Sequence, residues 1–293
     1  MPFPDAPSSF PDKDQVADYL ERYAERFDLP VRLGVAVRSL TSSRGHYVLL
    51  AGDMRLEATN VIVATGPFHA PRIPEISCEL APHVQQLHSS GYVNPHLLRE
   101  GPAPVVGAGN SGTQIAMELS RFRRVWLAGR PTGHTPRALM GRDIYDWIWP
   151  VLSRLSIDTV AGRMVRDRFQ HADPLVGISN SQIAASGVTR VGRLAAVARG
   201  VPVCTGRPVP AAVVIWAAGF SRRFDWIQLP IFDDDGSPWH QGGVVPGTPG
   251  LYFLGLRFQR TYASSLLGGV GHDAAIIAER IAGAVMSVYT GGL

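Results

Sequence analysis

Apolar residues along the chain follow two rhythms, and the change from one to the other marks its elements. Val16, Tyr19, Leu20, Tyr23 and Phe27 recur every three or four positions, which predicts a helix over residues 14–27. Short apolar runs at 31–40, 47–50 and 54–57 then predict strands. They lead into Val61-Ile62-Val63-Ala64-Thr65-Gly66, apolar on both faces as a buried parallel strand is, and stopped by a glycine. A connection rich in proline follows, with Pro67, Pro71, Pro74, Pro82 and Pro95.

A second unit opens at Pro102. Its apolar run enters Val105-Val106-Gly107-Ala108-Gly109-Asn110-Ser111-Gly112, after which Ile115, Ala116 and Leu119 return to helical spacing. The pattern is strand, tight turn, helix, followed by a strand over 124–130 and a helical stretch over 143–155 that Pro150 should kink or break. Short strands at 188–197 and 201–204 precede Val213-Val214-Ile215-Trp216-Ala217-Ala218-Gly219-Phe220. This run repeats the form of residues 61–68: apolar strand, small residues, glycine, then an aromatic two residues or fewer beyond. The chain therefore holds an internal repeat. The tail predicts a strand at 251–254, a glycine-rich link (Gly268, Gly269, Gly271) and a helix over 272–286.

The glycines at 107, 109 and 112 stand at G-x-G-x-x-G spacing. Gly107 permits the sharp turn, Gly109 lets a pyrophosphate approach the backbone, and Gly112 lets the helix pack close to the strand. With Ala108, Asn110 and Ser111 they leave free N–H groups at a helix start, where phosphate is favoured. A glycine-rich turn without a ligand is the alternative, and the strand and helix flanks favour the dinucleotide. A carboxylate at the end of the next strand would accept from a ribose 2′-hydroxyl, yet no acid lies between Glu118 and Asp143. Arg130 ends that strand instead, with Arg123, Arg124 and Arg137 nearby. A guanidinium suits a 2′-phosphate, so NADPH is expected over NADH; a solvated surface arginine is the other reading of Arg130.

Composition narrows the function classes. With 293 residues and 45% hydrophobic content, the chain has room for about two domains. Net charge is only +4, and of its 28 basic residues just Lys13 is a lysine. No basic run interleaved with aromatics occurs, which argues against nucleic acid as a partner. Cys78 and Cys204 are the only cysteines, far apart and outside any C-x-x-C. That argues against a thiolate zinc site and a redox-active dithiol, and the scattered histidines argue against other metal sites. No 18-residue apolar span or signal peptide is seen, so no membrane partner is expected and the cytoplasm is the default location.

Taken in order, Val-Val-Gly-Ala-Gly-Asn-Ser-Gly, Trp-Ala-Ala-Gly-Phe and Leu-Tyr-Phe-Leu-Gly-Leu resemble the flavin-containing monooxygenase family, in particular its bacterial oxidoreductases. Gln86-Leu87-His88-Ser89-Ser90-Gly91-Tyr92 resembles the second half of that family's F-x-G-x-x-x-H-x-x-x-[FY] motif. The resemblance runs along essentially the whole chain. It implies an α/β fold of two Rossmann-like dinucleotide-binding domains: an FAD domain from residues 1–100 and 218–293, with an NADPH domain, 101–217, inserted. It implies FAD and NADP as cofactors, a small organic substrate, hydride transfer from NADPH to FAD, and oxygen activation by the flavin. By the same resemblance His88, Ser89 and Tyr92 couple the domains near NADP, and Thr65 and Gly66 end a strand beside the flavin's phosphates. Ala218 and Gly219 form the matching turn of the second copy, while Gln259, Ser264 and Leu266 to Gly269 pass near the isoalloxazine. His88 and Tyr92 as hydrogen-bonding residues of a linker, and the tail as a structural loop, remain open.

Three positions depart from the family pattern. Pro82 and Val84 stand where the motif has Phe and Gly, and Ala218 replaces the Thr of A-T-G-[FY]. A further departure is larger. The offset from Gly107 to Gly219, applied upstream of Gly66, falls before Met1, and no first G-x-G-x-x-G is found; within the family Met1 would be an internal residue. The expected FAD domain is thus incomplete, lacking its first β-α unit, with the absent strand placed between residues 61–64 and 251–254. Open strand edges would favour pairing with another chain, a homodimer being one such assembly. A non-catalytic NADPH-binding remnant and a flavin reductase without oxygenase activity stay open beside the monooxygenase.

Overall fold

The computed structural model describes residues 1–4, 11–169 and 173–290, with side chains as far as residue 283. The chain divides into two compact units, Met1–Ala58 with Trp226–Leu229, and Thr59–Asp225 with Pro230–Leu293.

The smaller unit opens with α1 (Lys13–Arg26). Asp12 caps it by accepting from the backbone N–H of Asp14 and Gln15, and the Gln15 carboxamide accepts in return from the Asp12 N–H. This reciprocal pair fixes the helix start. None of its residues is buried: the predicted apolar face is instead a ladder of rings, Phe3–Tyr19, Tyr19–Tyr23 and Tyr23–Phe27, with centroids 4.9, 6.2 and 4.7 Å apart. An antiparallel meander follows, β1 (Val37–Ser43), β2 (His46–Ala51) and β3 (Met54–Ala58). The strand expected from residue 31 begins only at Val37, because Gly34 turns the chain with φ of +72°. Leu40 is fully buried, and its backbone bonds to Trp226 and Gln228 on the returning segment.

The larger unit runs, in chain order, β4 (Val61–Val63), β5 (Ala70–Pro71), β6 (Gln85–His88), β7 (Ala103–Val106), α2 (Asn110–Leu119) and β8 (Val125–Ala128). Next come β9 (His134–Thr135), β10 (Ala138–Leu139), β11 (Arg142–Asp143), α3 (Ile144–Leu152), α4 (Val160–Phe169), β12 (Leu175–Val176) and α5 (Asn180–Ala185). It closes with β13 (Thr189–Val191), β14 (Leu194–Ala198), β15 (Val201–Cys204), β16 (Arg207–Pro208), β17 (Val213–Trp216), β18 (Phe220–Ser221), β19 (Leu251–Phe253) and α6 (Val270–Thr290). The helix expected to kink or break at Pro150 runs through it to Leu152, short of the expected residue 155. The tail helix begins at Val270, two residues before its expected start, and α4 and α5 lie where no element is expected from the sequence.

Five parallel strands form the central sheet, in the order β13-β8-β7-β17-β6. Both faces are covered. Val105, Leu127 and Ile215 pack with Ala116, Leu119 and Ile183 on one side, and Trp126, Ala128, Val214 and Trp216 lie in the clusters on the other. Burial on both faces explains why these strands read as continuous apolar runs.

One expectation about the sheets is corrected. No gap separates β4 from β19: they pair directly and in parallel, Val61 with Leu251, Ile62 with Tyr252 and Val63 with Phe253. The ladder continues at both ends, from Val61 N to the Gly250 oxygen (2.7 Å) and from Leu254 N to the Val63 oxygen (3.0 Å). The outer side of β19 is covered by residues 243–245, since Phe253 N donates to Gly243 and Val244 bridges to Tyr252. The side left without a strand neighbour among the described residues is therefore the far edge of β4, where Ile62 is 44% exposed.

Candidate functional site

The end of β7 carries the glycine turn, and its three glycines are there for different reasons. Gly107 has φ of +119°, and a Cβ on it would collide with the carbonyl of Ala217, just past β17. A Cβ on Gly112 would collide with the carbonyl oxygen of Gly107, so α2 sits directly against the turn. At Gly109 a Cβ would meet nothing within 4 Å. Two glycines close the chain on itself and the third faces open space. Gly109 is the N-cap of α2 and no side chain caps the helix, which leaves its first N–H groups to an outside acceptor. Ala108 is buried behind the turn, and Ser111 is exposed beside it.

Asn110 behaves differently from its neighbours. Its Nδ2 donates to the Pro174 oxygen (3.0 Å) and its Oδ1 accepts from Val176 N (3.1 Å). The carboxamide is thus committed to the strand segment ahead of α5, and only its backbone faces the turn's opening.

β8 ends at Ala128, and Gly129 brings the chain against the turn, where a Cβ would lie 3.0 Å from Ala108 N. Arg130 follows, exposed, with no hydrogen bond or ion pair among the described residues. The neighbouring arginines are engaged: Arg123 with the oxygens of Arg99 and Pro95, Arg124 over the Trp126 ring, Arg137 with Asp143. Of the four arginines near the strand end, Arg130 is the one without a partner among the described residues.

His88 closes β6 and is 6% exposed. Its Nε2 lies 2.8 Å from the Gly219 oxygen, while Nδ1 accepts from Ser90 N at 3.1 Å. The backbone donor fixes Nδ1 as the acceptor, so the proton sits on Nε2 and is given to Gly219. Ser89 opens a 3-10 turn whose carbonyl accepts from Tyr92 N. Tyr92 packs on the core beside α2, and burial, reinforced by Glu118, pushes its phenol pKa up.

The two copies of the repeat end alike. Gly66 and Gly219 have φ of +65° and +82°, and each carbonyl faces an imidazole, His69 Nδ1 on Gly66 (2.8 Å) and His88 on Gly219. Phe68 and Phe220, the aromatics after the turns, meet edge to face with centroids 5.5 Å apart. Beside Gly66 lies a cleft of about 220 Å³ bordered by His69, Phe220, Arg222, His240 and Arg257. Thr65 is exposed just ahead of it and Ala218 is half-buried.

In the tail, Gln259 is fully buried, its Oε1 accepting from Leu256 N (3.2 Å) and its Nε2 donating to Gly242 (3.5 Å). Ser264 Oγ accepts from the N–H groups of Arg260 and Thr261. Both polar side chains shape the loop from within. Sequence reasoning missed Arg257, which meets the Asp173 carboxylate with both terminal nitrogens at 3.1 and 3.3 Å. It also missed the nearby phenols of Tyr145 and Tyr262, raised chiefly by burial and then by Asp173, Tyr262 to about 12. The two partners of the ion pair are 84 residues apart, and no local spacing signals it.

Cys78 is exposed and Cys204 is buried on β15, so they form no dithiol. No His, Cys, Asp and Glu group among the described residues could hold a metal, and no described helix is long and apolar enough to cross a membrane.

Comparison with known proteins agrees with this fold. Residues 2–166 match the family described as pyridine nucleotide-disulphide oxidoreductase. An uncharacterised CzcO-like oxidoreductase of Geobacillus kaustophilus is 38% identical over 92% of this chain and 77% of its own length. Its counterpart CzcO from Bacillus subtilis is 32% identical over 94% and 80%. Among solved structures, a flavin-containing monooxygenase from Stenotrophomonas maltophilia shares the fold, with a TM-score of 0.75 over 97% of this chain and 81% of that one at 22% identity. The chain belongs to the pyridine nucleotide-disulphide oxidoreductase family, among its CzcO-like, flavin-monooxygenase-like oxidoreductases.

Proposed function

We propose that the chain is an FAD- and NADPH-dependent oxidoreductase of monooxygenase type acting on a small organic molecule. The observation that carries this reading is the glycine turn: an uncapped helix start, open space at Gly109 and an unengaged Arg130 beside it. Residues 107–112 hold the pyrophosphate through backbone N–H groups, and Arg130 takes the 2′-phosphate. Residues 101–217 would then be the NADPH domain, and 1–100 with 218–293 the FAD domain. His88, Ser89 and Tyr92 hold the connection between the turns, and Thr65, Gly66, Ala218, Gly219 and Gln259 shape the surroundings of the flavin.

NADP fits the residues present. FAD fits on one flank, where the strand end at Gly66 and the tail loop at Arg257 border the cleft. That cleft is below the roughly 300–1,000 Å³ usual for small-molecule sites, and a glycine turn to hold a second pyrophosphate is missing among the described residues. When bound, the flavin supplies hydride acceptance and oxygen activation. The chain's own residues bind and orient the nicotinamide nucleotide and keep water from the reacting atoms.

A second reading, an NADPH-binding protein without flavin turnover, is favoured by the unpartnered edge of β4. Titration of the purified chain with NADPH and NADH tests the shared part. Arg130→Ala is expected to weaken NADPH binding by about 1.5–3 kcal/mol and to leave NADH nearly unchanged. Equal losses for the two nucleotides would remove Arg130 from the site.

A further inference from the structure

The segment 173–176 touches three places that the proposed chemistry needs. On one side its backbone is held at Pro174 and Val176 by the two arms of the Asn110 carboxamide, 3.0 and 3.1 Å long. On a second side β12 pairs in parallel with β9, Leu175 with His134 and Val176 with Thr135, four and five residues beyond Arg130. On the third, Asp173 forms its two-pronged ion pair with Arg257, whose Nη2 also donates to the Phe169 oxygen (2.8 Å). Arg257 borders the cleft beside Gly66. The two side chains of the pair are 25% and 33% exposed, sheltered enough for a two-pronged contact to hold its geometry.

Asn110 occupies the first position of the helix that faces the pyrophosphate, yet its side chain is turned away from that opening and spent on this segment. We propose that Asn110 and the Asp173–Arg257 pair are positioning residues: they couple the glycine turn, through residues 173–176, to the guanidinium at the cleft. The proposal rests on the reading of the turn as a dinucleotide site. A nucleotide seated there fixes Asn110, hence the segment, hence Arg257. By linkage, whatever fixes Arg257 tightens the nucleotide by the same factor.

The test has two parts. Asp173→Asn, which touches no residue of the turn, is expected to weaken NADPH binding about fivefold or more, and Asp173→Glu, which keeps the pair, to restore it. Combined with Asn110→Ala, which severs the segment, Asp173→Asn should add nothing further; independent, multiplying losses would overturn the coupling. Hydrogen exchange without nucleotide supplies the second part. Asn110→Ala should raise exchange at Val176 and also across residues 256–265, and a rise confined to 174–177 overturns the proposal. If the wild-type chain binds no NADPH, the dinucleotide reading falls by itself, and the exchange experiment still decides the coupling.

Discussion

His88 Nε2 stands 2.8 Å from the carbonyl oxygen of Gly219, joining two positions 131 residues apart. The same oxygen accepts from Arg72 N at 3.0 Å, and the His88 ring lies edge to face on Phe220 at 4.9 Å. One imidazole thus pins the turn that ends β17 to the end of β6. The residue is buried and its proton is already given to the backbone, so its first task is to hold two strand ends at a fixed distance.

His88→Ala is therefore expected to cost about 1–3 kcal/mol of stability, the range for removing a partner from a buried polar group. Urea unfolding followed by tryptophan fluorescence measures it. A change below about 0.5 kcal/mol would mean the bond is not maintained in solution.

The three glycines give a sharper contrast. Gly109 has ordinary φ (−77°) and open space around its Cβ position, so Gly109→Ala and Gly109→Val should fold normally and lose dinucleotide binding. Gly107 and Gly112 are backed by carbonyls, so alanine at either must displace backbone and lower the unfolding midpoint. Far-UV circular dichroism with an NADPH titration separates the two classes. Unchanged NADPH affinity in Gly109→Val would show that the turn faces something other than phosphate.

Much of this was legible in the sequence because the signals are local. The motif from Gly107 to Gly112 announces its turn through spacing alone, and the strands at 103–106 and 213–216 announce burial on both faces through unbroken apolar runs. What escaped notice depends on contacts between distant segments. The pairing of β4 with β19 joins residues 61–63 to 251–253, and nothing local says that these two runs are neighbours. Likewise Asn110 reads as part of a phosphate loop until Pro174 and Val176 are seen on its carboxamide. Arg257 is one arginine among many until Asp173 is found opposite it.

His240 gives a pH dependence with a definite sign. Burial holds its pKa below the ordinary 6.5, against a smaller upward pull from Asp233. The unfolded chain therefore binds this proton more tightly than the folded one. The contribution to stability is complete above about 6.5 and is lost as pH falls toward the lower folded value. Thermal unfolding between pH 5 and 7.5 should show a midpoint that falls on acidification, and His240→Gln should flatten that slope. An unaltered slope would place the acid sensitivity elsewhere.

The bare edge of β4 carries the last prediction. In a parallel sheet a central strand is bonded on both sides, and among the described residues β4 has a strand neighbour, β19, on one side only. Ile62, at 44% exposure, presents an apolar side chain beside unpaired backbone groups, the arrangement that recruits another strand. Two consequences follow for the 293-residue chain. It should self-associate through this edge, and it should hold FAD well below one per chain, because a glycine turn for the flavin pyrophosphate is missing among the described residues. Ile62→Lys places a charge on the edge and should reduce association measured by light scattering, at little cost in stability. Fusing a β-α unit with its own G-x-G-x-x-G ahead of Met1 should do more, supplying both the second neighbour and the pyrophosphate site. Visible flavin absorbance after purification distinguishes the outcomes. A colourless chain that turns yellow only with the added unit supports the argument, and full flavin occupancy in the 293-residue chain defeats it.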